Sequence, residues 1–513
     1  MPTLYWPDCK EITPSDIPDG TNMINFGSQF NMCIGEGVIP DDVVEILFQE
    51  KFNKYIGPNV LPKKLKRIEF GDSFSQYIGP GVFSDSLEYV CFRCDLGFPL
   101  GKGVLPNSLK TIYFNYPKQG FFNQIILPGF IPGSVETVKF FSIFNQPIGE
   151  NVLPQSLKTL EFHGSFNQSI KPNILPDSLQ KIVFKGNFNQ IIYPNVLPKS
   201  LISIKFIGKF NKYIGRDVLP DSLKSLHFNG HFNQFIHPEV LPLYLESICF
   251  VGDFDQYIGK NVLPESLQTI QFHGKFNQKI DPGVLPNSLE YIRFSESYDN
   301  PYQTYIFPDS LRIIQITNKY SAKIDAMVLP KNLEYLDVQS SSVIFENMEE
   351  LPRTINCINI ESKTITPEIT ENFIRSLPTN LEHLSVGKCY NKIDNISELP
   401  RTIKYLDILG LKLSKKTIQS LPPSLEYIVV HNYDDLLLFN IFECRIPFSI
   451  IFTEIIYPRQ YINPSFPILY PVKNGDIEFW KTLGTETVND REYNIYVHPK
   501  NYRDRSTQKS ARK

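Results

Sequence analysis

The 513-residue chain has little that would support a disulfide scaffold, a membrane protein or a general nucleic-acid binder. Its eight cysteines are scattered, which favours an intracellular protein with reduced thiols over a disulfide framework. No segment approaches the roughly 18 apolar residues of a membrane-spanning helix, because the stretch 446–457 is interrupted by Pro447 and Glu454. The net charge is -3, so we expect no general attraction to nucleic acid or to an anionic membrane. The N-terminal residues have neither the basic start nor the apolar core of a signal peptide.

Sequence motifs for catalysis and cofactor binding are also missing. The segment 101–103, Gly-Lys-Gly, lacks the glycine spacing and the following Ser or Thr of a phosphate-binding loop. The one Cys-x-x-Cys motif, from Cys91 to Cys94, has no second pair that would complete a zinc site. We therefore predict no cofactor, no metal and no enzymatic activity.

What the chain does have is a proline that returns every 22 residues. The series begins at Pro18 and ends at Pro422, with Ser84 in one position of the series and two longer steps of 26 residues. A fixed period of this length indicates about nineteen stacked coils, each one repeat long, and a stack of coils presents a long surface suited to binding.

The coil 154–175 shows how one repeat is built. Leu157, Leu160 and Phe162 are apolar, and nearly every other coil has apolar residues at the same positions. The alternation of apolar and polar residues over 160–163 predicts a half-buried strand. One such strand in each coil would form a parallel sheet, and the frequent prolines leave little room for helix. The sequence thus predicts a mainly β solenoid.

Two further patterns predict how the coil closes. A second proline followed by Asn or Gly, as in Pro172-Asn173, predicts a type II turn with positive φ at the later residue, whereas Pro238-Glu239 departs from this chemistry. Phe-Asn pairs recur as well, for example at Phe166-Asn167. We expect the Phe to fill the interior and the Asn to form a ladder that hydrogen-bonds unpaired backbone groups.

The run Phe-Asn-Gln-Pro-Ile at 144–148, combined with Leu-x-x-Leu-x-Phe strands, resembles the FNIP repeat. FNIP repeats are relatives of leucine-rich repeats and are abundant in social amoebae and in giant DNA viruses of amoebae. The resemblance covers roughly residues 18–430 and implies a leucine-rich-repeat-like solenoid without implying any reaction. Together with the scattered cysteines and the missing signal peptide, we expect an intracellular, cytoplasmic protein, which would lie in the host cytoplasm if the source is viral.

The phase of the repeat divides the chain into four segments. We predict an N-terminal cap at 1–17, the repeat solenoid at 18–438, a C-terminal capping segment at 439–498 and a basic, disordered tail at 499–513. The capping segments are expected because the ends of a solenoid expose apolar surface.

The outward strand positions are the predicted binding face, and they lie five, seven and nine residues after each proline. In the middle coils they include Lys139, Lys181, Lys185 and Lys205. In the later coils tyrosine recurs at the fifth position, and exposed tyrosine suits protein interfaces. The residues predicted to contact a protein partner of unknown identity are Tyr291, Tyr335, Asp337, Tyr405, Asp407 and Tyr427.

Two alternative functions stay open at this point. A β-helix hydrolase or lyase acting on polysaccharide would need paired carboxylates on neighbouring coils, and the seventh-position column offers none. Some FNIP proteins resemble ubiquitin-ligase adaptors with an F-box before the repeats. Only 17 residues precede Pro18 here, so an adaptor of this kind would have to use the N-terminal cap instead.

Overall fold

The structure, a computed structural model, divides into two compact units. The first unit comprises Met1–Leu267 with Phe272–Gly274, and the second comprises Gln268–Gln271 with Lys275–Lys513. The described residues are 3–7, 10–94, 96, 101–114, 122–302, 305–362, 373–387, 396–408, 419–430, 449–452, 481–488 and 491–497.

Each of the nineteen predicted coils contributes one strand, β2 to β20, to a parallel solenoid. The described strands are β1 (Thr3–Trp6), β2 (Met23–Phe26), β3 (Glu45–Leu47), β4 (Arg67–Phe70), β5 (Tyr89–Phe92), β6 (Thr111–Phe114), β7 (Thr137–Phe140), β8 (Thr159–Gly164), β9 (Lys181–Gly186), β10 (Ser203–Gly208), β11 (Ser225–Gly230), β12 (Ser247–Gly252), β13 (Thr269–Gly274), β14 (Tyr291–Phe294), β15 (Ile313–Asp325), β16 (Tyr335–Glu346), β17 (Cys357–Ser362), β18 (His383–Gly387), β19 (Tyr405–Ile408), β20 (Tyr427–Val430), β21 (Ser449–Phe452), β22 (Lys481–Val488) and β23 (Arg491–Val497). Short 3-10 turns span Pro14–Asp16, Ala326–Val328 and Met348–Glu350. The mainly β prediction is confirmed.

Neighbouring strands pair at equal positions of successive coils. In the first unit Ile204 on β10 faces Leu226 on β11, and Phe206 faces Phe228, so the register repeats the 22-residue period. The strand β1, which falls inside the predicted cap 1–17, pairs in parallel with β2. In the second unit β21 pairs in parallel with β20, while β22 and β23 form an antiparallel pair. The four segment boundaries stay predictions.

The interior is built from the residues that the alternation assigned to it. Leu157, Leu160 and Phe162 are at most 1% exposed. The Phe of the Phe-Asn pair packs on the strand Phe of its own coil, with 3.8 Å between the ring centroids of Phe162 and Phe166. Strand Phe rings also stack between coils, at 5.7 Å for Phe162 and Phe184. The first unit therefore contains two adjoining columns of buried aromatic rings.

The predicted turns have the expected backbone. Asn173 has φ 66° and Gly283 has φ 76°, which confirms positive φ after the second proline. Glu239 has φ 67°, so this coil keeps the turn although its residue is poorly suited to that region.

Glycines form a column that we did not predict. At Gly186, Gly208 and Gly230, φ lies between 110° and 122°, and an added Cβ would lie 2.2–2.3 Å from the carbonyl oxygen of the preceding coil's glycine. Only glycine allows such close contact between consecutive coils at the ends of these strands.

The predicted asparagine ladder is confirmed. The backbone N–H of Asn189 donates to Oδ1 of Asn167 at 2.8 Å, and Nε2 of Gln190 donates to the same oxygen at 3.2 Å. These asparagines are half-buried at the edge of the coil rather than fully internal. A second ladder was not predicted: the hydroxyl of Ser178 donates to the carbonyl oxygen of Leu157 at 2.8 Å, and many coils repeat this bond. Both ladders satisfy backbone groups that the loops leave unpaired.

Candidate functional site

The parallel register brings the predicted tyrosines of the second unit into one column. Along β14 to β20 the fifth position aligns from strand to strand. The members of this fifth-position column are Tyr291, Ile313, Tyr335, Cys357, His383, Tyr405 and Tyr427. Tyr405 and Tyr427 are direct neighbours, whereas one residue separates Tyr291 from Tyr335 and two separate Tyr335 from Tyr405.

Tyr291 is not exposed, which corrects the expectation that it contacts a partner. Its side chain is 6% exposed, and its hydroxyl donates to Oε1 of Gln315 at 2.6 Å. Gln315 lies on the next strand and is itself buried. The ring of Tyr291 therefore has little exposed surface that a protein partner could contact.

Asp337 and Asp407 lie in the adjoining seventh-position column. Asp337 is 4% exposed and accepts hydrogen bonds from Nε2 of Gln315 at 3.1 Å and from Nδ2 of Asn359 at 3.0 Å. Its burial departs from the exposed position that we expected. Asp407 is half-buried and accepts from the Ser385 hydroxyl at 3.4 Å. The register places these two aspartates three strands apart, roughly 14 Å at the usual strand spacing.

Tyr335, Tyr405 and Tyr427 keep part of their surface exposed. The ring of His383 stacks on Tyr405 with 4.1 Å between centroids and 3° between planes. Burial raises the pKa of both Tyr335 and Tyr405, with nearby aspartates adding to the effect, so both phenols are neutral. Burial also lowers the pKa of His383 to about 4, although Asp407 opposes the shift. This stretch therefore presents uncharged aromatic rings at neutral pH.

The outward positions of the first unit have a different character, and a carboxylate lies at the centre of the predicted lysine zone. Glu161 is buried, and its oxygens lie 2.9 Å from Nζ of Lys181, 3.4 Å from Nζ of Lys139 and 3.0 Å from Nε2 of His163. Burial alone would raise the pKa of Glu161, but these hydrogen bonds and charges together lower it to about 2. This one carboxylate therefore offsets part of the positive charge of Lys139 and Lys181.

Lys205 lies in the same column as Glu161, two strands further along, and beside His227 on the next strand. Burial, with a smaller contribution from Lys205, lowers the pKa of His227 to about 4. The histidine is thus neutral at physiological pH and does not extend the positive charge.

A column of exposed apolar residues on the loop side was missed by the sequence analysis. Each member lies three residues after the Phe of a Phe-Asn pair or of its variant, and we call this set the loop column. Its large exposed members are Tyr55, Tyr77, Ile125, Ile191, Tyr213, Phe235 and Tyr257, between 39% and 61% exposed. The repeated Tyr-Ile-Gly triplets of the sequence are the signal that indicates this column.

Comparison with known proteins identifies the repeat. The FNIP Repeat profile matches residues 10–51, 52–95, 122–165, 166–209, 210–253 and 254–297, about half of the chain. This protein belongs to the FNIP repeat family. Among solved structures it is similar to the circular LRR protein CroV588, from a giant virus, with 30% identity and a TM-score of 0.65. That match covers 88% of this chain and 76% of CroV588.

A second solved structure is a more distant match. A chain of the Drosophila Toll–Spätzle complex is 12% identical, with a TM-score of 0.46 over 88% of this chain and 62% of that chain. No curated protein sequence matches. In the described part of the FNIP chain, no helix has the length and hydrophobicity needed to cross a bilayer. The same residues contain no cluster of three His, Cys, Asp or Glu side chains that could hold a metal ion.

Proposed function

We propose that this FNIP protein is a non-catalytic scaffold that binds a protein partner on the outward strand face of its second unit. The supporting observation is the single column that the register builds from Tyr335, His383, Tyr405 and Tyr427. In this column the rings of His383 and Tyr405 are already stacked, and tyrosine rings lose little entropy on binding and offer apolar area with a polar hydroxyl at its edge. Tyr291 is left out of the contact surface because it is buried.

The positions of Asp337 and Asp407 favour a binding protein over an enzyme that cleaves glycosidic bonds. Paired catalytic carboxylates in most glycosidases lie at most about 9.5 Å apart, whereas three strand spacings separate Asp337 from Asp407 by roughly 14 Å. Asp337 is also occupied by amide donors on both neighbouring strands. A structural role for Asp337, bridging neighbouring strands, accounts for these contacts.

We place this function inside a cell. Cys357 is a buried free thiol, which fits a reducing compartment.

Affinity capture from an amoebal lysate tests the proposal, with Tyr335→Ala/Tyr405→Ala compared against the wild type by quantitative mass spectrometry. We expect a defined set of proteins to be depleted at least about tenfold by the double substitution. Tyr335→Phe/Tyr405→Phe retains the rings and should keep most of the binding. Circular dichroism checks that each variant is folded. Equal capture by the wild type and a folded alanine variant would reject the tyrosine column as the contact surface.

A further inference from the structure

Aromatic rings of the loop column lie against neighbouring parts of their own loops. In the Tyr-Ile-Gly triplets, an added Cβ on the glycine would lie 3.5 Å from the ring of Tyr55, 3.6 Å from that of Tyr213 and 3.5 Å from that of Tyr257. Each tyrosine ring therefore lies close to the glycine two residues later in its own loop. Phe235 is held differently, since its ring packs edge-on against His237 at 4.7 Å. Exposed rings that already pack against neighbouring atoms have less freedom to lose when a partner covers them.

Four successive coils carry a large apolar residue in this column, namely Ile191, Tyr213, Phe235 and Tyr257. At about 4.8 Å per coil they span roughly 14 Å, the length of four or five residues of extended peptide. A shallow groove is lined by Lys209, Asn167 and Asn189. Asn189 lies two residues before Ile191, the first of these four apolar residues. The surface is thus long and narrow, which fits an extended segment better than a globular face.

Uncompensated positive charge lies next to Tyr213. The segment 209–215 reads Lys-Phe-Asn-Lys-Tyr-Ile-Gly, and the same seven residues occur at 51–57. Neither Lys209 nor Lys212 has an ion-pair partner among the described residues, although other charges of this region are paired. Arg216 lies 2.8 Å from Glu239, and His231 lies 2.7 Å from Asp253.

The limited extent of this charge favours a peptide over a nucleic acid. A single strand of nucleic acid carries a charge on every nucleotide and would need a continuous basic groove. Here the coil that carries Tyr257 contributes Asp253 and Asp255, which would repel the phosphates of a nucleic acid along this part of the column. The same acids would confine the carboxylates of a peptide to the part near Lys209 and Lys212 and leave apolar side chains for the part near Tyr257. Two lysines beside exposed rings match one or two carboxylates interspersed with apolar side chains.

We propose that the loop column from Ile191 to Tyr257 binds an extended acidic peptide of a protein partner. Lys209 and Lys212 pair with its carboxylates, while Tyr213 and Phe235 cover its apolar side chains. This surface is separate from the strand face of the second unit, so either site can exist without the other.

Panning the full chain against a phage-displayed library of random peptides, each about twelve residues long, tests this inference. We expect retained peptides to be enriched in Asp and Glu together with aromatic or aliphatic residues. A synthetic copy of the most enriched peptide, labelled with fluorescein, should bind Lys209→Glu/Lys212→Glu/Tyr213→Ala at least about tenfold more weakly than the wild type. Its affinity should also fall as ionic strength rises.

The matched control is Lys63→Glu/Lys199→Glu/Tyr244→Ala, which makes the same changes at exposed positions on the turns before the strands. It should bind the peptide like the wild type, as should Tyr335→Ala/Tyr405→Ala. Retained peptides without excess acid, or equal loss in the control, would overturn the proposal. The proposal is equally overturned if the wild type binds an oligonucleotide or a glycan array and the triple variant loses that binding. It is also overturned if light scattering shows that the wild type is an oligomer and the triple variant a monomer.

Discussion

The coils of the first unit and the first long-stranded coils of the second unit satisfy the backbone hydrogen-bonding groups of their loops in different ways. In the first unit, Oδ1 of Asn145 accepts the backbone N–H of Asn167 at 2.8 Å, and the same bond continues through later coils. In the second unit Asn277 still accepts from the N–H of Asp299, but β15 and β16 then lengthen to 13 and 12 residues. Their pairing continues beyond a register shift to Asp325 and Glu346. Either side-chain oxygens or extra strand pairing can satisfy the loop backbone of a 22-residue coil.

This difference explains why the two units offer different surfaces. Where side chains form the ladder, each coil keeps a compact Phe-Asn loop whose third residue after Phe is held outward, which builds the loop column. In β16 the strand extends through the loop, and the exposed apolar residue Ile344 belongs to the strand itself. The second unit instead carries its aromatic rings on the strands, at Tyr335, Tyr405 and Tyr427.

The largest expected effect tests what the two units share, namely an apolar residue from each strand in the interior. Phe162→Asp and Val338→Asp each place a carboxylate where the native side chain is at most 1% exposed. We expect each to lower the free energy of unfolding by at least about 4 kcal/mol, since the charge has neither water nor a partner. Chemical denaturation followed by circular dichroism measures the loss.

The controls for this prediction are Phe162→Leu and Val338→Ala, which keep the sites apolar. Each should cost about 1–3 kcal/mol and leave a folded protein. A soluble, fully folded Phe162→Asp protein would contradict the inward assignment in the first unit, and the same result for Val338→Asp would contradict it in the second.

Acidification should destabilise both units through one histidine in each. His227 and His383 both have a pKa lowered to about 4, so between pH 4 and pH 6.5 the unfolded chain binds protons that the folded chain does not. Stability is therefore fully present above pH 6.5 and falls as the pH drops towards 4, by on the order of 2 kcal/mol for each histidine. The pH dependence of the urea midpoint measures this fall.

Substituting a charged neighbour of each histidine tests what sets the pKa of His227 in the first unit and of His383 in the second. Proton NMR titration measures both pKa values. Lys205→Gln should raise the pKa of His227, because the lysine charge disfavours the imidazolium. Asp407→Asn should lower the pKa of His383 further, because the aspartate favours it. Titration of either ring near pH 6.5 in the wild-type protein would show that burial does not control it.

The fold was predictable because its determinants repeat in phase, whereas the candidate site was predictable only in part. The alternation that places Leu160 and Phe162 on one face predicts a strand, and the pair Pro172-Asn173 predicts a turn from its local backbone preferences. The burial of Tyr291 depends on Gln315 of the adjoining strand, a contact that the pattern of a single coil does not contain. The exposure of Tyr213 also depends on how the loop curves, which Gly215 permits but does not specify.

The smallest expected effect isolates the asparagine ladder itself. Asn167→Ala removes the acceptor for the backbone N–H of Asn189 and for the amide of Gln190, and it should cost about 1–2 kcal/mol. Hydrogen exchange should show the protection of the Asn189 amide falling more than that of its neighbours. Asn167→Asp keeps an acceptor oxygen, as Asp255 does in a natural coil of this chain, and should preserve the protection.

In the second unit, Ile344→Ala on the exposed side of β16 should leave amide protection unchanged, because the bonds there join backbone to backbone. Equal loss from Asn167→Ala and Ile344→Ala would mean that the two units do not differ in how their loops are held.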